Sequence, residues 1–367
     1  MSKLHDLIQP HIREIKPYSP GKPVQELERE LGIDSSIKLA SNESPLGPSP
    51  AVVEAIQREA GELNRYPEDS CFYLRQVLAQ QLGVSPESLV LAAGADGILE
   101  LLGKVFLGRE HSAVFHWPSF AMYPIVTQAN AARAIRVDLT PGFATDVQAV
   151  LDAVEPDTRL VFIANPNNPT GASVGAADFE RLVLELPDHV ILVADEAYFE
   201  YVRRKDFPDT LALLRQREGL VILRTLSKIY GLAGLRVGYG IASPDLNAYL
   251  ERARHPFIVN SLAQAAAIAA LGDPGHVEQI RSLTHQGLDQ LEQGVAALGM
   301  RAVPSDANFL LIEGGEDAMT VYSALLRRGV ITRPLESFGL TRHLRVTAGL
   351  PEENQRFLDA LREETAA

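Results

Sequence analysis

The segment Leu220 to Arg236, which reads L-V-I-L-R-T-L-S-K-I-Y-G-L-A-G-L-R, decides the fold of this chain. It opens with the apolar run Leu220 to Leu223, which has the length and composition of a buried strand. Hydroxyl side chains and Lys228 follow, and Arg236 closes the segment. Cationic neighbours and desolvation favour a neutral, nucleophilic lysine amine. The segment is therefore suited to bind a phosphate and to form a Schiff base, whereas Ser-Lys alone is also typical of an ordinary loop.

The composition narrows the class of protein. Hydrophobic residues make up 46% and charged residues 22% of the 367 positions, as in ordinary globular proteins. A formal net charge of −13 without a basic block argues against a nucleic-acid partner. The opening M-S-K-L-H-D-L-I-Q-P has no apolar signal core, and no apolar run is long enough to cross a bilayer. We therefore expect a cytoplasmic protein without a membrane partner.

The cysteine and histidine residues give no support for disulfides or metals. Cys71 is the only cysteine, so the chain cannot form an internal disulfide, which suits a reducing compartment. The histidines show no H-x-x-x-H or comparable spacing. The sequence therefore predicts no metal site.

The alternation of apolar runs and helical patterns predicts the architecture. Runs such as Leu160 to Ala164 and Val190 to Ala194 are apolar throughout, with helical patterns such as Ala177 to Leu186 between them. Strands of this kind predict an α/β fold, with a parallel sheet covered by helices on both faces. Ligands of such sheets bind beyond the carboxyl ends of the strands. Five polar stretches follow predicted strands at this carboxyl edge: Ala93 to Asp96, Ser119 to Phe120, Asn165 to Gly171, Asp195 to Tyr198 and Thr225 to Lys228.

The first of these stretches suits an anion, whereas a plain strand-to-helix turn is the more frequent explanation of Gly-Ala-Asp-Gly alone. It lies between the strand Leu89 to Ala92 and a predicted helix, Ile98 to Phe106. A helix start presents free backbone N–H groups and the positive end of the helix dipole. The dipole contributes only ~0.3–1 kcal/mol at an exposed site, so side chains must help to hold the anion.

Residues 1–45 form a predicted N-terminal arm. The stretch K-P-Y-S-P-G-K-P imposes an extended path, and we expect such an arm to pack on the small domain and on a partner subunit. The predicted elements of the arm are a short helix from His5 to Ile15, a helix from Val24 to Leu31 and a strand from Ile37 to Ala40.

The length of the chain favours one large domain and a smaller one. We predict that residues 46–245 form the large domain, with its mostly parallel sheet. Residues 246–367 are predicted to form a linking helix and a small α+β domain. Two predicted strands of the small domain, Gly329 to Pro334 and His343 to Gly349, each carry an arginine.

The side chains at the carboxyl edge suit a flat, phosphorylated pyridine aldehyde. Lys228 can form an imine, Asp195 can pair with a protonated ring nitrogen, and Phe120 can stack on the ring. A phosphate could be held by Ala95, Asp96, Thr225, Ser227 and Arg236, and a ring oxygen by Asn168 and Tyr198. Pyridoxal phosphate is the cofactor that needs an acid beside its ring nitrogen. The sequence therefore predicts a pyridoxal 5'-phosphate site.

The motifs N-P-N-N-P-T-G, D-E-A-Y, T-L-S-K and G-L-R, in this order and spacing, resemble those of the aspartate-aminotransferase-type (fold type I) pyridoxal phosphate enzymes. The resemblance covers nearly the whole chain and implies a large domain, a smaller α+β domain and an N-terminal arm. A finer resemblance, to the histidinol-phosphate aminotransferase family, depends on K-P-Y-S-P-G-K-P, L-A-S-N-E-S-P-L-G-P-S-P, L-N-R-Y-P, D-E-A-Y-F-E-Y, G-L-A-G-L-R-V-G-Y and H-L-R-V-T-A-G.

The resemblance implies a role for each matching residue. Lys228 would bind the cofactor covalently and then move the proton between Cα and C4′. Asp195 would pair with the pyridine nitrogen, and Tyr198 and Asn168 with the ring oxygen. Tyr66 would reach the cofactor phosphate of a neighbouring subunit, which implies an obligate homodimer.

Two positions depart from the pattern of the family. Phe120 stands where tyrosine is common, so a phenol hydrogen bond is missing. Gly97 stands where glutamate is common, which leaves the predicted helix start less well defined, although the backbone anion site should survive.

The resemblance also implies the substrates. Arg333 and Arg345 could hold the phosphate of L-histidinol phosphate, and Tyr18 and Asn42 would complete the pocket. The same arginines would serve glutamate and 2-oxoglutarate in the other half of a ping-pong cycle. The simpler interpretations are a surface ion pair for Arg333 and a packing role for Tyr18.

Three alternatives remain open on the same scaffold. An aromatic amino-acid aminotransferase needs the same lysine and an anion-binding arginine. A threonine-phosphate decarboxylase would release carbon dioxide without amino transfer. A non-catalytic binding module would retain the cofactor site but convert no amine.

Overall fold

The computed structural model describes residues 4–365; the ends of the predicted arm and small domain, residues 1–3 and 366–367, lie outside the described residues. The arm contains two helical turns, α1 (Leu4–Leu7) and α2 (Pro10–Arg13), then helix α3 (Val24–Leu31) and strand β1 (Ile37–Lys38). The prediction of one helix from His5 to Ile15 is wrong. Pro10 begins the second turn, because proline lacks the N–H that a helix interior requires.

A seven-stranded sheet forms the centre of the molecule. Its spatial order is β2-β8-β7-β6-β5-β3-β4, and β8 is antiparallel to both of its neighbours, whereas the other strands are parallel. The strands are β2 (Leu89–Ala92), β3 (Ser112–Trp117), β4 (Arg133–Asp138), β5 (Thr158–Ala164), β6 (Ile191–Asp195), β7 (Leu220–Thr225) and β8 (Gly238–Ile241).

Helices cover both faces of this sheet, because its central strands are apolar throughout. Val161 and Ile163 of β5 lie in the core on one face, and Leu160 and Phe162 lie in the core on the other. The helices of this part are α4 (Pro50–Glu59), α5 (Phe72–Leu82), α6 (Gly94–Phe106), α7 (Met122–Ala129), α8 (Val147–Asp152), α9 (Ala176–Glu185) and α10 (Thr210–Leu213). Three further helices follow β8: α11 (Pro244–Ala253), α12 (Ser261–Leu271) and α13 (Pro274–Ala297).

The C-terminal part contains an antiparallel four-stranded sheet in the order β12-β13-β10-β9. Its strands and the separate β11 are β9 (Ala302–Val303), β10 (Phe309–Glu313), β11 (Val330–Ile331), β12 (Arg333–Pro334) and β13 (His343–Thr347), with helices α14 (Ala318–Arg327) and α15 (Pro351–Thr365). Single 3₁₀ turns lie at Ala60–Glu62, Pro86–Ser88, Phe199–Tyr201, Ala233–Leu235 and Glu336–Phe338.

The prediction of one strand from Gly329 to Pro334 is wrong, because its two halves have different partners. β11 pairs in parallel with β1 of the arm, whereas β12 pairs with β13. The N–H group of Thr347 in β13 also donates to the carbonyl oxygen of Leu39 in the arm. The arm is therefore hydrogen-bonded to the C-terminal part, close to the carboxyl edge of the central sheet.

Among the described helices, none combines the length and the apolar character needed to cross a membrane. Within the same residues, no group of three or more histidine, cysteine, aspartate or glutamate side chains is arranged to hold a metal ion.

Candidate active site

A pocket lies at the carboxyl edge of the central sheet, where residues of the arm and of β13 also line it. All of the cofactor and substrate residues predicted from the sequence line this pocket, except Tyr66 and Arg333. They are Tyr18, Asn42, Ala95, Asp96, Phe120, Asn168, Asp195, Tyr198, Thr225, Ser227, Lys228, Arg236 and Arg345. The structure adds Ser41, Ala164, Pro166 and Ala197.

Lys228 lies three residues beyond the end of β7, in the loop that opens into the pocket. Its Nζ atom is 3.4 Å from the carbonyl oxygen of Ser41 in the arm. Burial, assisted by the positive charge of Arg345, lowers the pKa of Lys228 to about 8. Because ordinary lysine has a pKa near 10.4, this amine is neutral far more often at physiological pH than an exposed one.

Asp195 is the last residue of β6, and its side chain is buried. The hydroxyl of Tyr123 donates to its Oδ2 atom at 2.7 Å, and the N–H group of Ala197 donates to Oδ1 at 3.2 Å. Burial raises the pKa of Asp195 to about 6, while these two donors act in the opposite direction. The side chain is therefore an ionised, hydrogen-bonded carboxylate at neutral pH.

Tyr123 is a site residue that sequence analysis missed. It lies in the first turn of α7, three positions after Phe120, and no local pattern there indicates that a phenol points at a carboxylate. The one available signal is the position of α7, directly after the polar stretch Ser119 to Phe120.

Tyr198 lies in the loop after β6, and its hydroxyl accepts a hydrogen bond from Nδ2 of Asn42 at 2.7 Å. Burial raises the pKa of Tyr198 to about 12, so the phenol keeps its proton at neutral pH and can donate it to an acceptor in the pocket. Asn42 has a left-handed backbone conformation (φ 55°), and its N–H group donates to Oγ1 of Thr347 at 3.0 Å.

The start of α6 and Arg236 lie together in the pocket and are suited to an anion. The helix begins at Gly94, and its N-cap residue, Ala93, offers no side-chain cap for the first N–H groups. Arg236 places Nη2 3.0 Å from Oδ2 of Asp96 and Nη1 3.3 Å from Oγ of Ser227. Gly94 has a left-handed backbone conformation (φ 78°) that favours glycine, and a Cβ atom there would lie 2.6 Å from Nη2 of Arg236. Uncapped N–H groups beside a guanidinium favour a phosphate.

Thr225 lines the same part of the pocket. It ends β7, and its Oγ1 atom accepts a hydrogen bond from the N–H group of Ser227 at 3.1 Å. Both hydroxyls therefore lie in the turn between the strand and Lys228, beside Arg236.

Close packing explains why glycine occupies position 97 in this chain. A Cβ atom there would lie 2.8 Å from Cβ of Ala92, since α6 packs closely against the end of β2. The sequence predicted that the helix begins at Ile98, but it begins at Gly94. Ala95 and Asp96 therefore belong to its first turn. The uncapped helix start is thus present with glycine at this position.

Arg345 reaches the pocket from β13 and is buried. Nη1 donates to Oδ1 of Asn168 at 2.5 Å, and Nη2 donates to the carbonyl oxygen of Ala40 at 2.6 Å. Its Nε atom is buried without a hydrogen-bond partner among the described residues. Burial lowers the pKa of Arg345 to about 10, so the side chain remains a cation at neutral pH.

Arg333 and Tyr66 lie outside this pocket. Arg333 is the cross-strand neighbour of Arg345, but its Nη2 atom donates to the carbonyl oxygen of Ser19 at 2.6 Å. Its guanidinium carbon is 5.6 Å from the centre of the Tyr18 ring, so Arg333 contacts the outer side of the arm. The Tyr66 side chain is 82% exposed and stacks on Phe257, with ring centres 4.5 Å apart.

Comparison with known proteins identifies the family. The profile described as "Aminotransferase class I and II" matches residues 34–361, and the chain belongs to this family of aminotransferases. Histidinol-phosphate aminotransferase 2 of Pseudomonas fluorescens is 48% identical over 97% of this chain and 96% of the relative. Histidinol-phosphate aminotransferase 1 of Nitrosococcus oceani is 45% identical, over 98% of this chain and 97% of the relative.

The solved structures agree with this assignment. Histidinol-phosphate aminotransferase from Sinorhizobium meliloti, crystallised in complex with pyridoxal-5'-phosphate, superposes with a TM-score of 0.88 at 26% identity. The match covers 98% of this chain and 97% of that one. The predicted fold class, an α/β fold of fold type I with a mostly parallel sheet, is confirmed.

Proposed function

We propose that this chain transfers the amino group of L-histidinol phosphate to 2-oxoglutarate, giving imidazole acetol phosphate and L-glutamate, with pyridoxal 5'-phosphate as the cofactor. The observation that carries the proposal is one pocket in which an amine of lowered pKa, a buried carboxylate and a buried arginine lie together. The two relatives described above carry the name of this activity. The proposed role belongs to histidine biosynthesis in the cytoplasm.

The pocket fits the proposed cofactor at both of its ends. The uncapped start of α6, with Arg236 and Ser227, is suited to its phosphate. Asp195 is suited to its ring nitrogen, and Tyr198 and Asn168 to its ring oxygen. Phe120 offers a ring face. When bound, pyridoxal phosphate supplies an electron sink for the bonds at the substrate's α-carbon.

Lys228 has two tasks in this proposal. Its neutral amine would hold the cofactor through the aldehyde carbon, and a pKa of about 8 favours that reaction. After the substrate amine has replaced it, the same amine would carry the proton between Cα and C4′. Asp195 would keep the ring nitrogen protonated, since its carboxylate is held by two donors and shielded from water.

Arg345 is the proposed contact for the substrate anion. Its side chain is a buried cation in the pocket, and its Nε atom has no partner among the described residues. A phosphate or an α-carboxylate would satisfy this group by a charge-assisted hydrogen bond. Asn42 and Tyr18 line the same end of the pocket, and Arg333 would join from behind Tyr18.

We propose a homodimer in which Tyr66 completes the neighbouring active site. The supporting feature is an exposed set of apolar side chains, here named the aromatic surface: Leu63, Tyr66, Phe72, Tyr73 and Phe257. Tyr66 stacks on Phe257, and Phe72 meets Tyr73 edge to face. Large exposed apolar groups of this kind are typical of an interface. The 82% exposure of Tyr66 leaves its hydroxyl free to reach a second copy of this chain.

We also propose the domain division on which this assignment depends. Residues 1–45 act as the arm, 46–245 as the large cofactor-binding domain and 246–367 as the linking helix and small domain. Hydrogen bonds from β1 to β11 and from Thr347 to Leu39 support an arm that packs on the small domain.

The test of the function is a single half-reaction. L-histidinol phosphate is added without a keto acid to the cofactor-loaded protein, and the visible absorption of the bound cofactor is followed. We expect full conversion to the pyridoxamine form at lower concentrations than phenylalanine requires. Preferential conversion by phenylalanine would support an aromatic amino-acid aminotransferase, and release of carbon dioxide from threonine phosphate would support a decarboxylase.

The test of the shared active site is a mixed dimer. Subunits with Tyr66→Ala and subunits with Lys228→Ala are each impaired in this proposal. Unfolding and refolding the two together would create dimers in which one of the two sites has both native residues. We expect activity to reappear on mixing, and its absence in a confirmed mixed dimer would contradict the exchange of Tyr66 between subunits.

A further inference from the structure

Tyr123 is a buried tyrosine for which the resemblance to the family assigned no role. Its side chain is fully buried in α7, and its hydroxyl donates to Oδ2 of Asp195 at 2.7 Å. Burial raises the pKa of Tyr123 well above its ordinary value near 10, so this hydroxyl keeps its proton and acts as a donor.

The ring of Tyr123 is fixed by aromatic packing from the strands below it. It stacks on Phe162 of β5, with centres 4.9 Å apart and planes 5° apart. The ring edge of Phe120 meets it at 5.8 Å, and Phe115 of β3 contacts it at 6.1 Å. A ring held on several sides has little rotamer freedom, so the position of the hydroxyl is set by the core rather than by Asp195.

The two oxygens of Asp195 therefore have different partners. Ala197 donates to Oδ1 from the loop after β6, and Tyr123 donates to Oδ2 from α7. Two donors from two separate elements fix the plane of the carboxylate and still leave lone pairs for a donor in the pocket. A hydrogen bond to the charged form also opposes the effect of burial, which disfavours that form.

We propose that Tyr123 is a positioning residue, whose hydroxyl orients the Asp195 carboxylate and keeps it ionised for pairing with the protonated ring nitrogen of the cofactor. The inference rests on the proposed function only for the identity of that cofactor. Because Phe120 has no hydroxyl, Tyr123 supplies the phenol donor of this aromatic pair.

The experiment compares two ligands that differ at one ring atom. Cofactor-free protein is titrated with pyridoxal 5'-phosphate and with its 1-deaza analogue, in which a carbon replaces the ring nitrogen, and binding is followed by protein fluorescence. The preference of the wild-type protein for the nitrogen compound measures the contact with Asp195. We expect Tyr123→Phe to reduce this preference about 10-fold, since a hydrogen bond to a charged group is lost, and to leave the affinity for the carbon analogue unchanged.

Two controls separate positioning from general damage. Tyr201→Phe removes a hydroxyl from another fully buried tyrosine, outside the pocket, and should leave both affinities unchanged. In an Asp195→Asn background, Tyr123→Phe should cause no further loss of preference, because the two residues act on one contact. In the active enzyme, Tyr123→Phe should lower kcat while the KM for the amino donor stays the same.

The outcomes distinguish this inference from the proposed function. An equal fall of both affinities, or an unchanged preference in Tyr123→Phe, would overturn the role of Tyr123 while the cofactor assignment stands. A wild-type protein that binds neither compound would overturn the cofactor assignment, and the inference with it. A full additional loss in the Asp195→Asn background would show that Tyr123 acts elsewhere.

Discussion

The pocket and the aromatic surface differ in the partners and in the solvent exposure of their side chains. In the pocket, polar groups are bonded to one another: Asp195 to Tyr123, and Tyr198 to Asn42. On the aromatic surface, the Tyr66 side chain is 82% exposed, and its ring contact is with Phe257, itself partly exposed. One chain thus supplies the partners of Asp195 and Tyr198 within its own pocket, whereas it leaves apolar rings uncovered. Catalytic rate and substrate affinity should therefore change when single side chains of the pocket are replaced. Formation of the proposed homodimer should depend on the aromatic surface.

The largest expected effect comes from the pocket alone. Lys228→Ala should lower kcat by about 10⁴-fold, because the residue provides both the covalent attachment and the proton transfer. The oligomeric state, measured by light scattering, should not change. Lys104→Ala, at an exposed lysine of α6, is the control and should retain full activity. A dissociated Lys228→Ala protein would mean that pocket and surface are not independent.

A smaller loss is expected when the buried cation is removed from the pocket. Arg345→Gln should raise the KM for L-histidinol phosphate about 10- to 100-fold, since a charge-assisted hydrogen bond contributes ~1.5–3 kcal/mol. Steady-state kinetics at saturating 2-oxoglutarate would measure this change. Arg342→Gln removes an exposed arginine directly before β13 and should have no such effect. An unchanged KM in Arg345→Gln would contradict the proposal that Arg345 contacts the substrate anion.

A charge introduced on the aromatic surface, away from the pocket, should weaken the proposed homodimer. Tyr73→Asp should weaken self-association by about 10-fold or more, because an aspartate buried at an interface loses its hydration. Sedimentation velocity over a range of concentrations would measure the shift. Tyr249→Asp, at another exposed tyrosine outside the aromatic surface, is the matched control. Equal association in both variants would mean that this surface is not the interface.

The smallest expected effect is a shift along the pH axis. The pKa of Lys228 is lowered to about 8, so the neutral amine increases as the pH rises through that value. The rate at which cofactor-free protein captures pyridoxal phosphate should therefore rise with pH, with a midpoint near 8. Arg345→Gln should move the midpoint upward, because the nearby positive charge that helps to lower this pKa is absent. A midpoint that does not respond to Arg345→Gln would contradict the coupling of these two cations.

Local patterns predicted the parts of the fold that depend on local sequence. α3 and β2 have the bounds that the sequence predicted, because apolar periodicity and flanking prolines, glycines and polar residues mark them. The antiparallel β8, which contains Gly238 and Gly240, carries no comparable signal. The division of Gly329 to Pro334 between two partners also has no local cause, since the arm that pairs with β11 lies nearly 300 residues away in sequence.

The same distinction applies to the site. Residues at or shortly after strand ends, such as Asp195 and Lys228, were predicted because parallel strands end at one edge. Tyr123 was missed because its contact depends on how α7 packs over the sheet. Arg333 was expected in the substrate pocket with Arg345. The two residues are cross-strand neighbours, but the Arg333 side chain donates to the carbonyl oxygen of Ser19 and does not line the pocket. Side-chain direction at a strand end is not encoded in a local pattern.

The parallel pairing of β1 with β11 has a consequence for the integrity of the pocket. Ser41 and Asn42 follow β1 by only a few residues, and they contact Lys228 and Tyr198. The wall of the pocket opposite the central sheet is thus built from the amino-terminal end of the chain and fastened to its carboxyl-terminal end. During synthesis on the ribosome, the site therefore cannot close until residues beyond 330 have emerged, so the nascent chain acquires its fold and its reactive centre at different times.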